Sequence, residues 1–180
     1  MKILGFAGST SSKSINKKLV SFTLDQISDS SLETELIDLN DYKLPMFNVD
    51  VEEKDGYPDN AYKFLEKLNE ADALIVSMAE HNNSYAAEVK NLLDWCSRIE
   101  LGFFGEKPML LMSTSPGGYG GGNVLEASKQ RFPKFKADII RTFKLPSFND
   151  NFSEDHGITD EENRSEHSKA LNQFLDHLSK

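Results

Sequence analysis

The sequence predicts a doubly wound α/β fold, with a five-stranded parallel sheet of order 2-1-3-4-5, helices on both faces, and one domain over residues 1–180. Three observations carry this expectation. Five short apolar runs alternate along the chain with five segments of helical period, as parallel strands joined by right-handed crossovers require. Two of those runs, ALIVSM and PMLLMS, are apolar throughout, as strands are when helices cover both their faces. Finally, 180 residues with 38% hydrophobic and 10% aromatic content match one globular unit with a packed core.

The strands are expected at Lys2–Ala7, Glu35–Leu39, Ala73–Met78, Pro108–Ser113 and Ala137–Phe143. Between them, Asn16–Ile27 places Leu19, Val20, Leu24 and Ile27 largely on one helical face. Asp59–Ala71 does the same with Tyr62, Leu65 and Leu68, with Asp59 as the expected N-cap after Pro58. Tyr85–Ile99 carries Val89, Leu92, Leu93 and Cys96 at helical spacing, which puts Cys96 in the core. Gly122–Phe132 begins a fourth helix and Thr159–Ser179 a fifth, where Thr159 and Glu162 form a capping-box pattern. Asp41–Pro58 and Lys144–Gly157 show no period and are expected to be surface loops. Five strands in this order and length make the flavodoxin-like three-layer sandwich.

Charge narrows the partners. The chain has 29 acidic and 20 basic residues, a net charge of −9. That balance excludes a nucleic-acid binder, which needs a basic footprint, and argues against docking on an anionic membrane. Residues 1–24 nevertheless hold four lysines and no acid. One cysteine, Cys96, allows neither an internal disulfide nor a cysteine-based zinc site, and the four histidines show no ligand spacing, so no metal is expected. No apolar run approaches a membrane span and the first residues enter a strand directly, so the expected location is the cytoplasm.

In an open parallel sheet the ligand lies beyond the carboxyl ends of the strands, where the strand order reverses. The loops after the first, third and fourth strands are therefore the candidates. The first, GSTSSKSIN from Gly8 to Asn16, sets five hydroxyl residues directly before a helix. Helix N-terminal N–H groups and hydroxyls together make an anion cradle, although serines are also ordinary caps. The loop has neither the Walker A glycine-lysine pair nor the GxGxxG spacing. The second, AEHNNSY from Ala79 to Tyr85, reads either as turn residues with Ser84 as a helix cap or as an acid/base pair at Glu80 and His81; the solvated turn is the plainer reading. The third, TSPGGYGGG, packs five glycines into the six positions 117–122, which suits close approach of backbone to a ligand.

Together these loops resemble the signature loops of the NADPH-dependent FMN reductase family, which includes quinone-, azo- and chromate-reductase-like flavoproteins. The family's GSxRxxSxN is matched at Gly8, Ser9, Ser14 and Asn16, with Ser11 where the arginine stands. Its PEYNxS is matched at Glu80, Asn82 and Ser84, with Ala79 and His81 in place of proline and tyrosine. Ser115, Pro116, Gly117, Gly118, Gly120 and Gly121 match the third loop. The resemblance implies an FMN-dependent oxidoreductase with NADPH or NADH as co-substrate and a small-molecule acceptor. It implies that Ser9, Ser11, Ser14, Ile15 and Asn16 hold the FMN phosphate. Glu80, His81, Asn82, Asn83, Ser84 and Tyr85 would line the isoalloxazine and ribityl chain. Ser115, Pro116, Gly117, Gly118, Tyr119, Gly120 and Gly121 would border the polar edge of the ring. No protein nucleophile or base is then required, since the flavin carries the hydride chemistry. Lys13 could stand in for the missing arginine as a point charge. The resemblance also implies a homodimer or homotetramer, with Phe103 and Phe104 expected at the flavin pocket or, preferentially, at the interface. The competing readings are a flavodoxin-type electron carrier without NAD(P)H turnover and a module whose ligand site has decayed.

Overall fold

The computed structural model describes residues 1–180. The chain runs β1 (Lys2–Gly8), α1 (Ile15–Asp25), β2 (Glu33–Ile37), α2 (Val49–Asp55), α3 (Asp59–Glu70), β3 (Ala73–Met78), α4 (Ala87–Ile99), β4 (Pro108–Thr114), α5 (Gly122–Arg131), β5 (Asp138–Leu145), α6 (Phe148–Asn151) and α7 (Glu161–Leu178). The five strands form one parallel sheet of order β2-β1-β3-β4-β5, the order expected. Two-residue hairpins, Glu80–His81 with Ser84–Tyr85 and Phe152–Ser153 with Gly157–Ile158, lie outside it.

The period-2 geometry of the strands divides the apolar residues between two cores. Leu4, Phe6, Leu74, Val76, Met109 and Leu111 face α3, α4 and α5, where they meet Phe64, Leu68, Leu92 and Val124. Ile3, Ile75, Leu110 and Met112 face α1 and α7, where they meet Leu19, Val20, Leu171 and Phe174. Burial on both sides explains why ALIVSM has no polar alternation: all six of its residues are buried. α1 lies so close to the sheet that a Cβ on Gly5 would stand 2.7 Å from Leu24 Cδ1 and 2.8 Å from Val20 Cγ1.

Several local expectations are corrected. The first expected loop contains α2, which buries no residue and so leaves no apolar period to read. It is held instead by its Asn48 cap, which accepts from Asp50 N–H at 2.8 Å, and by Arg98 Nε against both oxygens of Glu52 at 3.0 Å. The second contains the end of β5, the single turn α6 and the 152–158 hairpin. β2 starts and ends two residues earlier than expected, because Asp38 leaves the strand to accept Asn40 N–H at 2.9 Å and start a 3-10 turn. Asp59 lies inside α3, and Pro58 occupies the cap position without a side-chain bond. Asp160, not Thr159, caps α7 by accepting Asn163 N–H at 2.8 Å. Phe103 and Phe104 are not surface residues: each is 1% exposed, and they pack on Phe135 and Phe132 with ring centroids 4.8 and 5.0 Å apart. Trp95 is also core, its Nε1 donating to Pro45 O at 2.8 Å. Cys96 is buried as expected, and burial pushes its thiol up to about 12.

Candidate functional site

The carboxyl ends of β1, β3 and β4 carry three loops that the fold fastens to one another. Asn16, in the first turn of α1, is 3% exposed. Its Nδ2 donates to Thr114 O at 3.1 Å, and its Oδ1 accepts Thr114 N–H at 3.0 Å and the Ser77 hydroxyl at 2.7 Å. One side chain thus pins the start of α1 to the ends of β3 and β4. Ser77 and Thr114 left no sequence signal for this tie, since they read as ordinary strand residues.

The first loop folds on its own hydroxyls. Ser9 Oγ accepts Ser11 N–H at 3.2 Å, and Ser11 Oγ accepts Lys13 N–H at 3.3 Å. Ser14 caps α1 by accepting Lys17 N–H at 3.1 Å. In all three serines the oxygen is engaged while the hydroxyl hydrogen keeps no acceptor within the chain. The N–H groups of Ile15 and Asn16, the first two of α1, have no acceptor either, as helix geometry dictates. These donors gather at the positive end of the helix. Among the four lysines of this acid-free stretch, Lys2, Lys17 and Lys18 pair with carboxylates, while exposed Lys13 has no acidic partner.

The second loop is a tight hairpin. Asn82 and Asn83 have φ of 49° and 62°, the left-handed pair that a two-residue hairpin turn demands and asparagine tolerates. Ser84 belongs to this hairpin, so it is not a helix cap; α4 starts at Ala87 with no side-chain cap. The Glu80 side chain is committed within the chain. Its Oε2 accepts Val124 N–H at 2.9 Å and its Oε1 accepts Asn123 Nδ2 at 3.3 Å, so it caps α5 from another loop. Asn123 Nδ2 also donates to Asn83 Oδ1 at 3.1 Å. α5 needs this cap because its own N-cap is Gly121, which has no side chain. His81 is exposed at the hairpin. Tyr85 turns back between α4 and α5, its ring stacked on Phe132 and its hydroxyl buried without a partner.

The glycine loop divides in two. Gly120 and Gly121 have φ of 65° and 73°. A Cβ on Gly120 would lie 3.0 Å from the backbone of Leu145 and Pro146, and one on Gly121 3.1 Å from Ser113 Cβ. Gly117 and Gly118 are exposed, and neither is among the glycines of positive φ. A Cβ there would meet nothing closer than Ser115 Oγ at 3.8 Å and Ser147 Oγ at 4.0 Å. The Tyr119 ring lies over Gly122 and under Lys144 Nζ, which is 4.3 Å from the ring centroid. The loop after β5, expected as a surface loop but not among the three candidate loops, closes this side: Ser147 N–H donates to Gly117 O and Phe148 N–H to Ser115 O, each at 3.0 Å.

The structure therefore brings together Ser9, Ser11, Ser14, the backbone of Ile15 and Asn16, the turn of the second loop, and Ser115 to Gly118. It uses the side chains of Glu80 and Asn16 as fasteners, and it packs the Tyr85 ring on Phe132 and the Tyr119 ring beneath Lys144 Nζ. No three His, Cys, Asp or Glu side chains gather as a metal centre would require, and no helix is long and apolar enough to cross a membrane. A ligand that suits these features has an anion at one end, for the donors at α1, and a flat group at the other, for the space beside Gly117 and Gly118.

Comparison with known proteins places the chain in a family. The profile of the NADPH-dependent FMN reductase family matches residues 1–150. An NADPH:quinone oxidoreductase of Arabidopsis thaliana is 34% identical over 124 residues, a match that spans 68% of this chain and 61% of the relative. An NAD(P)H:quinone oxidoreductase of Solanum tuberosum is 29% identical over 173 residues, covering 91% and 86%. Among solved structures, FerB, a flavoenzyme NAD(P)H:(acceptor) oxidoreductase from Paracoccus denitrificans, superposes with a TM-score of 0.73 at 22% identity, covering 97% of this chain and 95% of its own. At that identity the likeness speaks for the fold.

Proposed function

The chain belongs to the NADPH-dependent FMN reductase family, and on that premise we propose that it is an FMN-dependent NAD(P)H oxidoreductase passing electrons from a nicotinamide to a small acceptor. The observation that carries this reading is the coexistence, at the carboxyl end of one sheet, of uncommitted donors at the start of α1 and of two glycines that no contact within the chain requires. The donors suit a phosphate, and the bare backbone suits the close approach of a flat ring.

In this reading Ser9, Ser11 and Ser14, with the N–H groups of Ile15 and Asn16, hold the FMN phosphate, and Lys13 adds the charge that the family's arginine supplies elsewhere. The hairpin Glu80–Tyr85 and the stretch Ser115–Gly121 border the ring, largely through backbone. Bound FMN supplies the redox chemistry, taking hydride from NAD(P)H and giving electrons to the acceptor. The chain's own task is orientation. Asn16 fixes the phosphate loop relative to β3 and β4, and Glu80 fixes the hairpin relative to the glycine loop. Backbone N–H groups of the stretch Ser115–Gly121 would favour the negative charge that a bound flavin gains on reduction. A quinone is the acceptor we favour, from the names of the relatives; azo compounds, chromate and free flavin are the other candidates. A cytoplasmic location, one domain over residues 1–180 and a homodimer or homotetramer complete the reading, the last checked by light scattering.

The visible spectrum of the purified chain tests the proposal. We expect flavin absorption, anaerobic bleaching by NADPH or NADH, and recovery of the colour on adding a soluble benzoquinone. A chain that stays colourless and does not quench FMN fluorescence refutes it. A flavin-loaded chain that neither nucleotide bleaches points instead to an electron carrier.

A further inference from the structure

We propose that Ser147, in the loop after β5, is a further ligand-contacting residue of this cleft, its hydroxyl donating a hydrogen bond to the polar edge of the bound flavin beside Gly117 and Gly118. This rests on the FMN reading above and names a residue that the three-loop pattern does not contain.

Three observations converge on Ser147. Its φ is 44°, in the left-handed region where a residue with a Cβ is held at a cost. The surrounding structure enforces that conformation. Ser147 N–H donates to Gly117 O at 3.0 Å, and Ser147 O accepts Asp150 N–H at 2.9 Å and Asn151 N–H at 3.1 Å. Phe148, the next residue, is anchored in the core at 4% exposure. Glycine or asparagine would adopt this backbone more readily.

Second, the hydroxyl does nothing for the chain itself. Ser113, Thr114 and Ser115, on the neighbouring strand end and loop, each donate to a backbone carbonyl, at 2.8, 2.7 and 3.3 Å. Ser147 Oγ has no partner in the chain, and its backbone already supplies the turn.

Third, Ser147 Oγ is the nearest atom, at 4.0 Å, to the point where a side chain on Gly118 would begin. The strained residue and the bare glycine therefore border the same space. One ligand edge in that space accounts for the left-handed serine, for its uncommitted donor and for the glycine opposite. The polar edge of a flavin offers carbonyl oxygens, and a hydroxyl donor there is worth more to the reduced ring, which carries the added negative charge.

The test compares the full-length wild type with Ser147→Gly, Ser147→Ala and Ser147→Asn, using thermal melts of the flavin-free protein, FMN fluorescence titration and the midpoint potential of the loaded protein. Ser147→Gly is expected to melt higher than wild type yet bind FMN about tenfold more weakly. Ser147→Ala is expected to bind as weakly with no gain in Tm. Ser147→Asn, which tolerates the backbone and keeps a donor, is expected to melt higher and stay within about threefold of wild-type affinity. The potential is expected to move to more negative values in the Gly and Ala variants only. Wild-type affinity and potential in Ser147→Gly overturn this inference alone. A wild-type chain that binds no FMN overturns the FMN reading and this inference with it.

Discussion

Gly117–Gly118 and Gly120–Gly121 stand in one run of sequence, yet they are glycines for opposite reasons. At 120 and 121 the chain itself forbids a side chain: φ is positive, and the Leu145 backbone and Ser113 occupy the space. At 117 and 118 neither a positive φ nor a neighbour within 3.8 Å forbids one. The same division runs through the polar groups of the cleft. Asn16 and Glu80 are committed to partners inside the chain, whereas the hydroxyl hydrogens of Ser9, Ser11 and Ser14 are not. Residues that look alike in a motif thus separate into those that hold the fold and those left over for a ligand. A change to the first kind should move stability, and a change to the second should move binding.

The sharpest way to break this division is at Gly118. A Gly118→Trp variant fills the space beside Ser147 without touching the core. Its Tm is expected to stay near wild type while FMN affinity falls about a thousandfold, roughly 4 kcal/mol. Fluorescence titration with a parallel thermal melt checks both halves; unchanged affinity removes the ring from this position.

The fold side of the division is tested most strongly by His167 on α7, which is 2% exposed and shares a 2.9 Å hydrogen bond with Thr23 Oγ1. Burial, which penalises the charged imidazolium, lowers its pKa to about 4, well below the ordinary histidine value. The folded state therefore holds this histidine neutral where the unfolded chain would protonate it. Stability is complete above about pH 6.5 and declines as the pH falls towards 4, by about 3 kcal/mol in all. Denaturant titrations across pH 7 to 4 measure the slope, and His167→Gln should flatten it while leaving FMN affinity at pH 7 unchanged. An identical slope in the variant would assign the acid sensitivity elsewhere.

How much of this was legible in the sequence follows the same division. β3 and β4 were readable to within a residue because burial on both faces leaves an unbroken apolar run. α2 was not, since it buries nothing and is held by a cap and the Arg98–Glu52 ion pair. Phe103 and Phe104 were misplaced because a short loop between a helix and a strand reads as surface, while here it folds over the α5–β5 connection. In the cleft, donors supplied by consecutive residues could be read locally. The fasteners could not: Glu80 meets Val124 across 44 positions, and Asn16 meets Thr114 across 98. Ser147 was missed because the switch-point rule directs attention to the loops after β1, β3 and β4, and this residue follows β5.

A smaller effect compares the two halves of the glycine run directly. Gly120→Ala is expected to cost about 2 kcal/mol, from the positive φ and the 3.0 Å approach to the Leu145 backbone. Gly118→Ala should stay within about 0.5 kcal/mol of wild type. Equal losses in chemical denaturation would show that the run is one structural unit and that the distinction between its halves is false.

The smallest expected effect is at Ser11, where the family's arginine is missing. The Ser11 hydroxyl is one donor among several, so Ser11→Ala should weaken FMN binding only about fivefold, near 1 kcal/mol. Small as it is, this loss can be assigned, because riboflavin carries the same ring without the phosphate. If the hydroxyl faces the phosphate, riboflavin affinity stays unchanged while FMN affinity falls. An equal loss for both ligands would mean that the variant disturbs the loop as a whole, since Ser11 Oγ also accepts Lys13 N–H. Ser11→Arg approaches the point from the other side. A guanidinium beside exposed Lys13 adds a planar donor fork to a cradle otherwise made of hydroxyls and backbone, so FMN binding should tighten and become more sensitive to salt. If the arginine tightens FMN but not riboflavin, the start of α1 is the phosphate end of the cleft, and the ring lies at Gly117–Gly118 by exclusion.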